Sequence, residues 1–181
     1  MTMHNAKCIV SPSALSLPLS LVKTFLRIDG DQEEELLRLL ILSATIQFEK
    51  YTGKALLKQR WSVTYRNVKN DIVILPTTPA ISLVKLRTMG IDNHWCELDK
   101  KYCDIDNDRL YMQTLSYHPV FEVIYDAGIT DDRAKIPSSI QSALLQHIGH
   151  MYNVRCTKSS NDRHNKFPLN IYDQFKDIVV R

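Results

Sequence analysis

Leu19, Val22, Phe25 and Leu26 share one face at helical spacing, so the first regular element is expected as a helix over about Leu19 to Arg27. Pro18 suits its start, where the N–H that proline lacks would have no intrahelical partner. Ile28-Asp29-Gly30-Asp31 breaks the period. A longer helix follows, with Leu37, Ile41, Ala44, Phe48 and Tyr51 on one side and Leu36 and Leu40 widening the stripe. Asp31 and Glu34 have capping-box spacing, and Glu33 to Glu35 lie near the positive end of the helix dipole. Gly53 is placed to close the helix in a left-handed conformation. Residues 1 to 15 show no sustained period, and a flexible or docking arm is expected over residues 1–17.

Beyond Leu57 the period changes from helical to alternating. Trp61, Val63 and Tyr65 alternate with Ser62 and Thr64, and Ile72 to Leu75 is a short apolar run closed by Pro76. Ile81 to Arg87 reads as a strand, Gly90 to Asn93 as a turn. Shorter strands are expected at Trp95 to Leu98, Tyr102 to Ile105 and Leu110 to Met112. Phe121, Val123 and Tyr125 alternate again before Asp126-Ala127-Gly128. Helix returns at Pro137, with Ile140, Leu144, Ile148 and Met151 in one stripe and Ala143, His147 and Tyr152 at its borders. Residues 155 to 166 are polar and basic and read as a loop. Pro168 then precedes a short helix with Ile171, Phe175, Ile178 and Val179. The expected fold is α+β: a mainly helical core of two N-terminal and two C-terminal helices, with an antiparallel β-rich insertion over about residues 59–126 between helices two and three, in one domain covering 18–181.

Composition narrows the functional classes. The 181 residues carry 23 basic and 20 acidic side chains, a net charge of +3, too balanced for a dedicated nucleic-acid binder. The compact basic stretches are Lys54 to Arg60 and Arg155 to Lys166. Cys8, Cys96, Cys103 and Cys156 form no CxxC pair and are expected as reduced thiols. Pro12, Pro18 and serines interrupt the apolar stretch from Cys8 to Val22, which also lacks a signal-peptidase pattern. Leu36 to Ile46 is strongly apolar but far short of the roughly 20 residues a bilayer needs, and it reads as a buried helix of a soluble protein.

Candidate chemistry is sparse. Asp104, Asp106 and Asp108 have the D-x-D-x-D spacing of a calcium loop, but Arg109 and Leu115 stand where the glycine and the bidentate glutamate are needed. A polar β-turn is the better reading. His147 and His150 could share a helix face, but zinc would need Cys156 or His164 to fold back, and no H-E-x-x-H is present. His94 and Cys96 can point the same way on a strand, without the electropositive setting that activates a thiol. No G-x-S-x-G, P-loop or G-x-G-x-x-G occurs. No cofactor or metal is expected, and the chain reads as a protein that is not an enzyme.

Several short motifs, taken in order, resemble one family. Val22-Lys23-Thr24-Phe25-Leu26-Arg27-Ile28-Asp29 is similar to a "K-x-x-L-R-[VI]-D" opening helix, and Glu49-Lys50-Tyr51-Thr52-Gly53-Lys54-Ala55-Leu56 to "E-x-Y-T-G-[RK]-x-L". Gln59-Arg60-Trp61 resembles the entry to a first strand. Leu75-Pro76, Pro79 and Ile81 to Val84 resemble "L-P-x-x-P-[VL]-x-S-[VI]" with some shifts. Val123 to Gly128 resembles "V-x-Y-x-A-G", Ile148 to Arg155 a third helix ending in "G-H-x-Y-x-x-R", and Phe167-Pro168-Leu169 the last segment. Met151 departs from a common tryptophan. Over residues 17 to 180 the chain resembles the phage head–tail connector (adaptor) family, the gp6-like and DNA-packaging connector group of tailed phages and phage-derived particles.

The resemblance implies a structural protein of the virion, made in the host cytoplasm and placed at the head–tail interface. It implies a ring under the portal vertex that extends the DNA channel and docks tail components. The implied partners are the portal protein, neighbouring copies matching portal symmetry as a dodecamer, a downstream tail or stopper protein, and DNA passing through, with no membrane. A closed ring needs two different complementary faces per subunit. The candidate subunit or portal interface is Phe167, Leu169, Ile171, Tyr172, Phe175 and Val179, together with the N-terminal arm. Lys54, Lys58, Arg60, Arg155, Lys158 and Arg163 are the candidate DNA-channel or basic surface. The alternative is a DNA-binding packaging accessory protein using those same cations.

Overall fold

The computed structural model describes residues 2–68, 71–90, 92, 94–112, 120–154 and 167–176. The fold is α+β, and the chain divides into two compact units: residues 1–12 with 57–131, and residues 13–56 with 132–181. The described strands lie in the first and the α-helices in the second. No helix among the described residues is long and apolar enough to cross a membrane.

The β unit contains β1 (Thr2–Val10), β2 (Gln59–Arg66), β3 (Ile72–Ile74), β4 (Ala80–Met89), β5 (Trp95–Glu97), β6 (Cys103–Asp106), β7 (Arg109–Met112) and β8 (Val120–Ala127). Five strands form one sheet in the order β1-β2-β8-β4-β5, and three form another in the order β3-β7-β6. All the ladders are antiparallel. The alternation seen in the sequence has a direct cause, since Val63 pairs with Val123 and Tyr65 with Phe121, and all four are buried. Tyr65 and Phe121 stack at 5.2 Å, and the Tyr65 hydroxyl donates to the Ile74 carbonyl at 2.7 Å, tying the two sheets together.

The N-terminal segment corrects the expectation of an arm. Thr2–Val10 is an edge strand paired with β2 from Thr2↔Arg66 to Val10↔Arg60, interrupted by two register shifts. Its stability comes from backbone hydrogen bonds to β2, and a strand exposed at a sheet edge does not need strict apolar alternation. Periodicity therefore could not reveal it. The β unit accordingly takes in the N-terminal strand as well as the segment expected as an insertion.

In the β unit Gly128 explains the "V-x-Y-x-A-G" motif. Val123, Tyr125 and Ala127 are buried, and the chain then passes so close to Lys58 that a Cβ on Gly128 would lie 2.7 Å from the Lys58 backbone nitrogen. Its φ of +154° adds a conformation that other residues resist. Gly128→Ala is expected to cost about 1–3 kcal/mol, because rigid backbone must move to admit the methyl group. Urea unfolding of this variant checks it, and an unchanged midpoint would refute the close approach.

The helical unit contains α1 (Leu19–Leu26), α2 (Glu34–Thr52), α3 (Ser138–Val154) and a 3-10 run over Leu169–Phe175. Arg27 closes α1 in the left-handed region at φ 56°. Gly53 closes α2 at φ 76°, its N–H donating to Glu49 O, while the Glu49 carboxylate accepts from the Leu56 N–H at 2.8 Å. That pair of bonds is what "E-x-Y-T-G-[RK]-x-L" encodes. Leu37, Ile41, Ala44 and Phe48 are buried, as are Val22 of α1 and Ile140, Leu144 and Ile148 of α3, and the three helices contact one another to form the unit's core.

Two helix-end expectations are corrected. The Asp31–Glu34 capping box does not form: Glu33 precedes the helix without a capping side-chain bond, and Lys23 of α1 takes both carboxylates, Asp31 at 2.5 Å and Glu34 at 2.7 Å. A charge-assisted bond to a lysine outcompetes a local one to a backbone amide. The last helix is a 3-10 run ending at Phe175, and the Ile178 and Val179 end of it lies outside the described residues, as does the expected loop over 155–166.

Candidate assembly surfaces

In the helical unit the C-terminal candidates converge on one histidine. His147 of α3, 1% exposed, has its Nδ1 2.8 Å from the Tyr172 hydroxyl, and Phe167 stacks on its ring at 4.0 Å and 9°. Tyr172 is fully buried and meets Phe48 edge-on at 5.1 Å. Phe175 is half-buried with its ring 5.7 Å from Phe48, and Leu169 and Ile171 are half-buried too. Tyr51 reinforces the anchor, donating to Asp173 at 2.8 Å while the Lys176 ammonium lies 3.5 Å from its ring centre. Tyr172 is thus spent on the unit's own core, the other four described residues keep part of their surface outside, and Val179 lies outside the described residues.

Burial, with His150 as a lesser contribution, lowers the His147 pKa to about 4, so the ring is neutral at pH 7. Sequence reasoning placed this histidine at a stripe border and weighed it as a metal ligand. Among the described residues no group of three or more His, Cys, Asp or Glu could hold a metal ion. Nothing in the sequence relates His147 to Tyr172, because their pairing depends on how the C-terminal segment returns to α3.

In the β unit the basic candidates are partly neutralised. Arg60 bonds Asp126 at 2.7 Å and Lys58 reaches the same carboxylate at 3.4 Å. Bonding to Arg60 holds the Asp126 pKa below the ordinary carboxylate range. Beyond Ile124 on the same face of β8, Glu122 accepts from Ser62 at 2.6 Å and from Arg87. Burial opposes the charge on Glu122, but Arg87 and Ser62 together still lower its pKa. This face is a lattice of ion pairs, and not an open basic stripe. Lys54 belongs to the helical unit and is half-buried; Arg155, Lys158 and Arg163 lie outside the described residues.

The remaining sequence candidates have structural roles. Asp104 and Asp106 sit on β6, and Asn107 at φ 44° turns the chain into β7, with Asp106 paired to Arg109. The D-x-D-x-D run is therefore a tight hairpin, the type that favours Asn in the left-handed region. Cys96 is exposed on β5, and Cys8, Cys96 and Cys103 are free thiols. Cys156 lies outside the described residues.

Two surface features of the helical unit were not anticipated. Leu39, Leu42 and Ile46 form an exposed row on α2, away from its buried stripe. An open cleft of about 410 Å³ lies between α1 and α3, with Phe25 and Gly149 in its lining. The sequence did carry a signal for the first: Leu36 to Ile46 is apolar on more sides than one core can use. In the β unit Ile72 and Ile74 of β3, and Ile9 and Val10 of β1, are also exposed.

Residues 17–86 match the family described as phage gp6-like head-tail connector protein. None of the curated proteins matches the chain in sequence. Among solved structures, the chain is similar to one from the neck of an empty GTA particle computed with C6 symmetry, with a TM-score of 0.79 at 16% identity, covering 98% of each chain. It is similar to one from the virion of a native gene transfer agent (GTA) particle, with a TM-score of 0.78 at 16% identity and 97% of each chain covered. A third is from the neck of a native GTA particle computed with C12 symmetry, with a TM-score of 0.74 at 15% identity, covering 100% of this chain and 98% of that one. At these identities the likeness is one of fold.

Proposed function

We propose that this chain, whose residues 17–86 carry the gp6-like connector pattern, is a structural head–tail connector that assembles as a ring beneath the portal vertex of a phage or phage-derived particle. The observation that carries the reading is the whole-length likeness of fold to chains from particle necks, one of them computed with C12 symmetry. The ring would extend the DNA channel and offer tail components or a stopper protein a docking surface. It is expected to match the portal as a dodecamer, and the protein performs no catalysis. Phe167, Leu169, Ile171 and Phe175 suit a contact made in this segment, because each keeps part of its surface outside while Phe167 is anchored on His147 and Phe175 on Phe48.

The test mixes the purified chain with portal rings from the same genome and follows sedimentation and electron micrographs. Added ring density at one end of the portal is the expected result. Failure to bind at high concentration, with salt-sensitive DNA affinity instead, would favour a packaging accessory acting through Lys54, Lys58, Arg60 and the cations of residues 155–163.

A further inference from the structure

Helix α2 is apolar on two sides, and its own unit uses one. Leu37, Ile41, Ala44 and Phe48 are buried, whereas Leu39, Leu42 and Ile46 are 62%, 46% and 60% exposed. Steps of three and four residues align these three in one row, and Glu35, a turn earlier, continues it with a carboxylate at 93% exposure whose partner is Arg38 at 3.8 Å. The cleft between α1 and α3 is the converse shape. It is lined by Phe25, Leu26, Gly149, Arg27, His150 and Asn153 among others, and no carboxylate is in its lining. Gly149 shapes it, since a Cβ there would lie 3.1 Å from Phe25 Cε1. Tyr152, one of the lining residues, donates its hydroxyl to the Glu33 carboxylate at 2.7 Å.

We propose that the Leu39–Leu42–Ile46 row of one copy seats in the α1–α3 cleft of the next copy, and that this contact, repeated, joins the ring. The inference rests on the connector reading and names the face it requires. A closed ring needs two different, mutually complementary faces on every subunit. The row and the cleft both belong to the helical unit, so they keep a fixed relation to each other. Convex aliphatic side chains meet a concave lining to which Phe25, Leu26 and Gly149 give apolar surface and Gln146, Tyr152 and Asn153 polar groups. The acidic end of the row, Glu35, is matched to a lining that includes the Arg27 guanidinium and holds no carboxylate. With both halves of the contact on one chain, the occupant is a second copy.

Wild type, Leu42→Glu, Glu35→Arg, Arg27→Glu and the double charge reversal are compared, with thermal melting to show that each folds. Self-association is read by sedimentation velocity at rising concentration and by ring density on portal particles. Leu42→Glu is expected to weaken copy–copy association at least about tenfold. Each single reversal weakens it, and the double reversal recovers most of the loss. If wild-type copies associate and the variants do so equally well, the interface is wrong while the connector reading stands. Loss of portal binding with copy–copy association intact would assign the row to the portal and overturn the inference. Wild type that never self-associates, free or on the portal, overturns both.

Discussion

Tyr172→Ala is expected to lower the stability of the helical unit by about 3–5 kcal/mol, the range for truncating a large buried aromatic side chain. The residue is fully buried, its ring contacts Phe48, His147 and Phe167, and its hydroxyl is the 2.8 Å partner of His147 Nδ1. Removing the ring leaves both a cavity and an unpaired buried nitrogen. Tyr172→Phe separates the two effects: the ring stays, and the loss of about 1–3 kcal/mol reports the unpaired imidazole alone. Urea denaturation of both variants measures the difference. If Tyr172→Ala unfolds like wild type, the 3-10 run is not anchored on α3. Its residues would then be poor candidates for a contact surface held in a fixed geometry.

Acidification from pH 7 to 4.5 is expected to remove about 2–3 kcal/mol of stability through His147, at 1.36 kcal/mol per pKa unit. Burial lowers its folded pKa to about 4, against an ordinary value of 6.5. Between those two values the unfolded chain binds a proton that the folded chain excludes, so stability falls as pH falls through that window and levels off below it. The carboxylates of Asp31, Asp126 and Asp173 are held below their ordinary range, chiefly by bonds to Lys23, Arg60 and Tyr51, so their contributions are lost at lower pH. Chemical denaturation across the series, repeated with His147→Phe, checks the assignment. That variant should be weaker at pH 7, having lost the Tyr172 partner, but should show a flattened slope above pH 4.5. An unchanged slope would place the titration elsewhere.

The elements legible in the sequence are those whose cause is local. Helix α1, the body of α2, its stop at Gly53, the strands from Gln59 to Ala127 and helix α3 follow from spacing, proline placement and glycine chemistry. Each depends on residues a few positions away. The capping box failed because Lys23, on a different helix, claimed Asp31 and Glu34. The candidate assembly surface was only half legible. The C-terminal aromatics were noticed, but their division between core and surface depends on His147. The α2 row was visible only as a surplus of apolar residues with no indication of which side would be left uncovered.

By itself, then, the sequence determined the α+β class, most element positions and the family pattern of residues 17–86, because helix and strand periods are written in near neighbours. Tertiary structure decided the rest. It made an edge strand of Thr2–Val10 by offering it β2, and it required glycine at 128 by bringing the backbone of Lys58 against it. It buried His147 by returning Tyr172 to α3, and it left Leu39, Leu42 and Ile46 exposed by filling the unit's core from the other side of α2. Each of these outcomes depends on a partner distant in the chain, and that distance is set only when the chain has folded.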